Sequence, residues 1–209
     1  TVGKGKVFFG WWIVAACFVI LMWGAGTFYY GFSAFFTPIR REFQWSAAIT
    51  SVSFALRGME TGVAELFVGF LVDRIGPRKV MVVGLAILGA GFIALGFINS
   101  LWTFYAAVTV IAVGFSGCVG LVGMTSVGNW FVRRRSLAFG ITMAGAGMGG
   151  VVVPLIVWSI GLYGWRTTTV ILGLVTWALC IPLALVVRHK PEPYGYLPDG
   201  DPPGSQTPE

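Results

Sequence analysis

The chain has 209 residues, 56% hydrophobic and 11% charged, with a mean hydropathy of +0.83. An ordinary soluble domain carries about 25% charge, so a water-soluble globule is excluded and an all-α membrane protein is expected. The formal charge of +6 does not point to nucleic acid, because the basic residues are parcelled out between apolar runs instead of forming one face.

Crossing a hydrocarbon core about 30 Å thick takes about 20 apolar residues at about 1.5 Å each. Six runs qualify as helices: 9–36, 47–72, 80–98, 101–131, 137–160 and 168–187. Their apolar character is continuous, whereas a barrel strand would alternate over about 10 residues. The first run follows Lys4 and Lys6, is too long for a signal-peptide core and lacks a cleavage pattern, so it is expected to stay in the membrane. In its outer half Phe28, Tyr29 and Tyr30 stand together. A tyrosine hydroxyl there can reach a carboxylate in a central cavity, or the rings can serve packing or an interfacial belt.

The second run contains Arg57, Glu60 and Glu65. An ionisable group at such depth costs at least about 2.5 kcal/mol unless it faces protein or water, so these should point inward. Arg57 and Glu60 are three apart and can pair on one helical face. Alternatively Arg57 attracts an anionic substrate, or Glu60 or Glu65 takes up a coupling proton.

Between the second and third runs lies GFLVDRIGPRKV, residues 69–80. Gly76 and Pro77 predict a turn short enough to make the flanking helices antiparallel. Arg74, Arg78 and Lys79 fit an inner loop obeying the positive-inside rule, but Asp73 works against that rule. At a helix end an aspartate can meet a helix N-terminus or an arginine, which makes it a candidate latch.

The fourth run carries Gly114, Gly117, Gly120 and Gly123, and the fifth carries GAGMGG with Gly145, Gly147 and Gly149. No strand precedes GAGMGG, so close helix packing accounts for it better than a dinucleotide site. Cys17, Cys118 and Cys180 fall inside apolar runs without metal-type spacing, and the lone His189 sits in the polar tail, 188–209. No metal, cofactor or catalytic set is expected, and therefore no enzyme. With the N-terminus inside, ten basic residues lie on the inner side and three, Arg40, Arg41 and Arg166, on the outer. Both termini are thus expected to be cytoplasmic.

Gly69, Asp73, Arg74, Gly76, Arg78 and Lys79 resemble, in spacing and position, the loop signature of the major facilitator superfamily. Pro77 stands where many members have an arginine. The resemblance implies that Asp73 steadies the outward-open state against the other half while Arg74, Arg78 and Lys79 join an inner charge network. WFVRRRSLAFGITMAGAGMGG, residues 130–150, is similar to the fifth-helix signature of monocarboxylate transporters. FFGWWIV, REFQWS and KPEPYGYLPDG resemble bacterial members. Tyr30 aligns where animal members carry a lysine, and the fourth-helix arginine of proton-coupled drug exporters is absent.

The resemblance implies a six-helix half-bundle built as a three-plus-three inverted repeat, a weak echo of which is the helix start after a charged loop at both Ser46 and Ser136. Members have twelve helices, and this chain supplies six, beginning at Thr1. The implied function is transport of a small organic anion such as a monocarboxylate, coupled to a proton, in a bacterial cytoplasmic membrane. Its expected partners are the bilayer and a second six-helix half or another membrane subunit. The competing expectation is a non-transporting structural subunit of a larger complex or a homodimer.

Overall fold

The computed structural model describes residues 8–118 and 120–188, apart from the side chains of residues 47, 50 and 53–57. Lys4, Lys6 and the tail 189–209 lie outside the described residues. The helices are α1 (Phe9–Ala25), α2 (Ser33–Phe43), α3 (Ala47–Ile75), α4 (Pro77–Gly96), α5 (Leu101–Cys118), α6 (Leu121–Trp130), α7 (Arg135–Met148), α8 (Val152–Val175) and α9 (Ile181–Val186). No strand occurs among the described residues. Among the described residues four stretches are long and apolar enough to cross a membrane: Phe9–Phe43, Pro77–Gly96, Leu101–Trp130 and Arg135–Val186.

Local chemistry sets the boundaries. Past residue 36 the chain turns amphipathic yet stays helical to Phe43, because Phe35 and Ile39 are buried on one face. Gln44 then adopts the left-handed region at φ 54°, and Ser46 caps α3 by accepting from the Ile49 N–H at 3.3 Å. The α3 to α4 turn is made by Gly76 at φ 86°, a conformation that penalises any Cβ, followed by Pro77 at the first helical position. The 52 residues from Arg135 to Val186 would reach about 78 Å if straight. Inside α8 the helix is broken at Gly164, where φ 77° and ψ 163° redirect the chain. The fourth run is likewise broken, at Gly120, into α5 and α6.

Lipid supplies no hydrophobic force between helices, so they associate where small residues let backbones approach. α4 packs along α5, α1 along α7, α4 along α8 and α3 along α5. A Cβ on Gly84 would lie 2.5 Å from the Gly117 carbonyl carbon, and one on Gly91 would meet Ile111 N at 2.9 Å, so α4 and α5 run antiparallel in contact. α1 and α7 meet as closely but run parallel. A Cβ on Gly145 would reach Phe18 O at 2.5 Å, and one on Gly149 would reach Gly26 N at 2.7 Å. Both helices deform at that crossing, α1 continuing as a π-turn, Gly26–Tyr30, and α7 tightening to a 3-10 turn, Gly149–Val151.

The bundle has two distinct ends. At one, the buried Trp130 donates its indole N–H to Arg188 O at 3.0 Å, and the Arg188 guanidinium lies 4.2 Å from the Phe9 ring. The first and last described helices therefore finish side by side, and the Gly76 turn belongs to this end. At the other end the last turn of α2, the end of α4 and the start of the chain beyond Gly164 converge.

Candidate functional site

α3 and α5 bring together an acid and a hydroxyl 49 residues apart. Thr109 Oγ1 donates to Glu60 Oε1 at 2.7 Å. Glu60 Oε2 is buried and has no hydrogen-bond partner among the described residues. The carboxyl forms part of the wall of an apolar groove of about 690 Å³, lined also by Met59, Val63, Phe67, Phe70 and Val113. Met59, Leu66, Phe67 and Phe70 are exposed, so this face of α3 has no covering helix among the described residues. The carboxyl thus stands with one oxygen held and the other unpartnered among the described residues, beside an apolar surface.

The other expected site residues fall around it unevenly. Arg57 lies on the α3 backbone with its side chain outside the described residues, so the pair expected with Glu60 lies outside them too. Glu65, five residues beyond Glu60, is turned roughly 140° around the helix and is exposed. Tyr29 and Tyr30 are exposed where the π-turn ends. The Tyr29 ring meets Phe115 of α5 edge-on at 5.2 Å, so α5 supports both Tyr29 and Glu60.

In the charged turn Asp73, Arg74 and Lys79 are exposed, Arg78 is half-buried, and Gly69 packs toward Leu121. None of the four charged residues pairs with a described residue. Of the fifth-run glycines, Gly145 and Gly149 approach α1, but Gly147 faces open space. Two residues of helix rotate it by about 200°, so it takes no part in that packing.

Two partnerships escaped the sequence reading. Thr109 carried no signal, being an ordinary threonine in an apolar helix. The second is a clamp at the far end of the bundle. Glu42 Oε1 accepts from Arg166 Nε at 3.0 Å and from its Nη2 at 2.9 Å, while Oε2 accepts from Trp165 Nε1 at 2.6 Å. Arg166 Nη1 also donates to Gly96 O at 2.9 Å, and the guanidinium stands 4.6 Å from the Trp165 ring. One arginine thus ties α2 to the end of α4 and to the turn after Gly164. In the sequence its charge signals only an outer-loop cation. Both side chains are over a third exposed, so screening holds the contribution to about 1 kcal/mol. Arg166→Ala is expected to lower detergent-unfolding stability by that amount and to raise proteolysis near Gly164. Unaltered cleavage there would show that the clamp does not hold the turn.

The Major Facilitator Superfamily profile matches residues 7–206. An uncharacterised MFS-type transporter of Bacillus subtilis is 30% identical over 87% of this chain and 45% of its own length. The oxalate:formate antiporter of Oxalobacter formigenes is 29% identical over 85% of this chain and 42% of its own. Monocarboxylate transporter 1 of Bos taurus is 31% identical over 88% of this chain and 37% of its own. The chain spans less than half the length of these relatives.

Proposed function

The chain belongs to the Major Facilitator Superfamily, and on that premise we propose that it is one lobe of a secondary transporter moving a small organic anion, such as a monocarboxylate, by alternating access together with a proton. As a member of a transporter family it is not an enzyme, its setting is a lipid bilayer and its cargo is a small molecule. The anion is supported by the relatives whose names specify oxalate, formate and monocarboxylates. The observation that carries the proton is Glu60, with one oxygen held by Thr109 and the other bare beside the groove. On this reading Glu60 is the group that carries the coupling proton.

Six crossings with both ends in the cytosol complete this reading. An even number of passes returns the chain to its starting side, and the meeting of Phe9 with Arg188 is consistent with that. The uncovered face of α3 is where a second lobe, supplied by another segment or subunit, packs in a bacterial cytoplasmic membrane. Asp73, at the end of α3, is the proposed latch to that lobe, with Arg74, Arg78 and Lys79 in the inner charge network.

The reading is tested by reconstituting the chain with its partner lobe in proteoliposomes and following labelled lactate under an inward proton gradient. Accumulation above the outside level is expected. No uptake of any mono- or dicarboxylate beyond empty vesicles would return the chain to a structural role. Asp73→Asn is expected to slow uptake severalfold while membrane insertion stays intact, and an unchanged rate would leave Asp73 as a loop charge only.

A further inference from the structure

At the end of α2 the helix surface forms a hollow of about 400 Å³ lined by Thr37, Arg40, Arg41, Gln44 and Trp45. It lies at the end of α3 opposite the charged Gly76 turn. Every one of these side chains carries an N–H or O–H donor, and none is an acid. Arg40 and Arg41 are exposed, and neither guanidinium has an ion pair or hydrogen bond with a described residue.

The obvious neutraliser is the next residue, Glu42, but both of its oxygens are taken by Arg166 and Trp165. Nor are the arginines spent on capping α2, since the Gln44 side chain donates to Arg41 O at 2.8 Å in their place. Trp45 is fixed as a wall, stacked on Phe43 at 4.6 Å and packed against Phe104 at 5.5 Å. Two adjacent cations without a counter-charge among the described residues, in a concave site of donors, present the field and geometry that a carboxylate seeks.

We propose that Arg40 and Arg41, with Thr37, Gln44 and Trp45, form a recruitment site for a small carboxylate at the mouth of the transporter remote from the Gly76 turn. The proposal deepens the anion-transport reading and rests on it for the identity of the ligand. A free carboxylate is favoured over a lipid phosphate because the hollow is bounded by side chains of a single helix end and its following turn, and is small enough for a compact anion.

The test uses the full chain in nanodiscs of phosphatidylcholine alone, with acetate and succinate as probes in isothermal titration. Binding is expected, weakening as potassium chloride rises from roughly 50 to 500 mM. R40Q/R41Q should weaken it about tenfold, and R40K/R41K should keep most of it, with helical circular dichroism unchanged in both. Equal binding by wild type and R40Q/R41Q overturns the site. So does a difference that emerges only as loss of retained anionic lipid, which would assign the hollow to a headgroup. Probe binding that depends on the arginines, in a protein that carries no carboxylate when paired with its partner lobe, supports the site and rejects the transport reading. Uptake without arginine-dependent binding does the reverse.

Discussion

Glu60→Gln is expected to abolish proton-driven accumulation of the anion while leaving exchange at equal pH close to that of the parent protein. The substitution keeps the shape and an Oε1 acceptor for the Thr109 hydroxyl, which sits 2.7 Å away. It removes only the ability to change charge. Accumulation ratio should fall to about unity, a loss of up to about tenfold under a gradient of one pH unit, because one coupled proton contributes about 1.4 kcal/mol per unit. Thr109→Val should show a milder form of the same defect, since the carboxyl would lose its one hydrogen-bond partner among the described residues. Full accumulation by Glu60→Gln would assign the acid to packing between α3 and α5 and move the proton to another group.

Gly84→Val should be among the most damaging single changes to the bundle. Its first added carbon would stand 2.5 Å from the Gly117 carbonyl carbon and 2.8 Å from its oxygen, atoms of backbone that cannot rotate away. α4 and α5 would have to separate, and because α4 also packs on α8 the displacement would spread. Overpacking of this kind costs about 1–3 kcal/mol where side chains can yield, and more is expected here because backbone cannot. A loss of at least about 3 kcal/mol in reversible denaturant unfolding is the expected outcome, with reduced yield in the membrane. Gly147→Ala provides the contrast. Nothing lies within 4 Å of its Cβ position, and alanine is the better helix former by about 1 kcal/mol, so stability should hold or rise. Equal behaviour of the two variants would mean that glycine at the α4 to α5 contact is incidental.

The same contrast bears on how far sequence reasoning reached. Spacing by four placed Gly145 and Gly149 together, and α1 indeed runs against both, yet the small-residue run gave no means of seeing that Gly147 faces outward until the partner's direction was known. Gly76 with Pro77 announced a turn, and the left-handed φ at Gly76 is what that pair permits. The break at Gly164 was softer: hydropathy marked only a gap between 160 and 168, and the position of the bend within it depends on Arg166 being pulled to Glu42 and Gly96. Arg166 read as topology and Glu42 carried no reading at all, because a contact across 124 residues leaves no local pattern.

Hydropathy and the placement of charge, taken alone, were enough to settle a helical membrane protein, and the Asp73 to Lys79 motif was enough to point to its superfamily. These are legible because lipid forces each backbone to satisfy itself within one helix, so the signal is local. Which acid finds a hydroxyl, which arginine is neutralised and which pair is left free were decided only when the helices packed. Those outcomes depend on rotation and neighbour choice, and neither is encoded within any one run of residues.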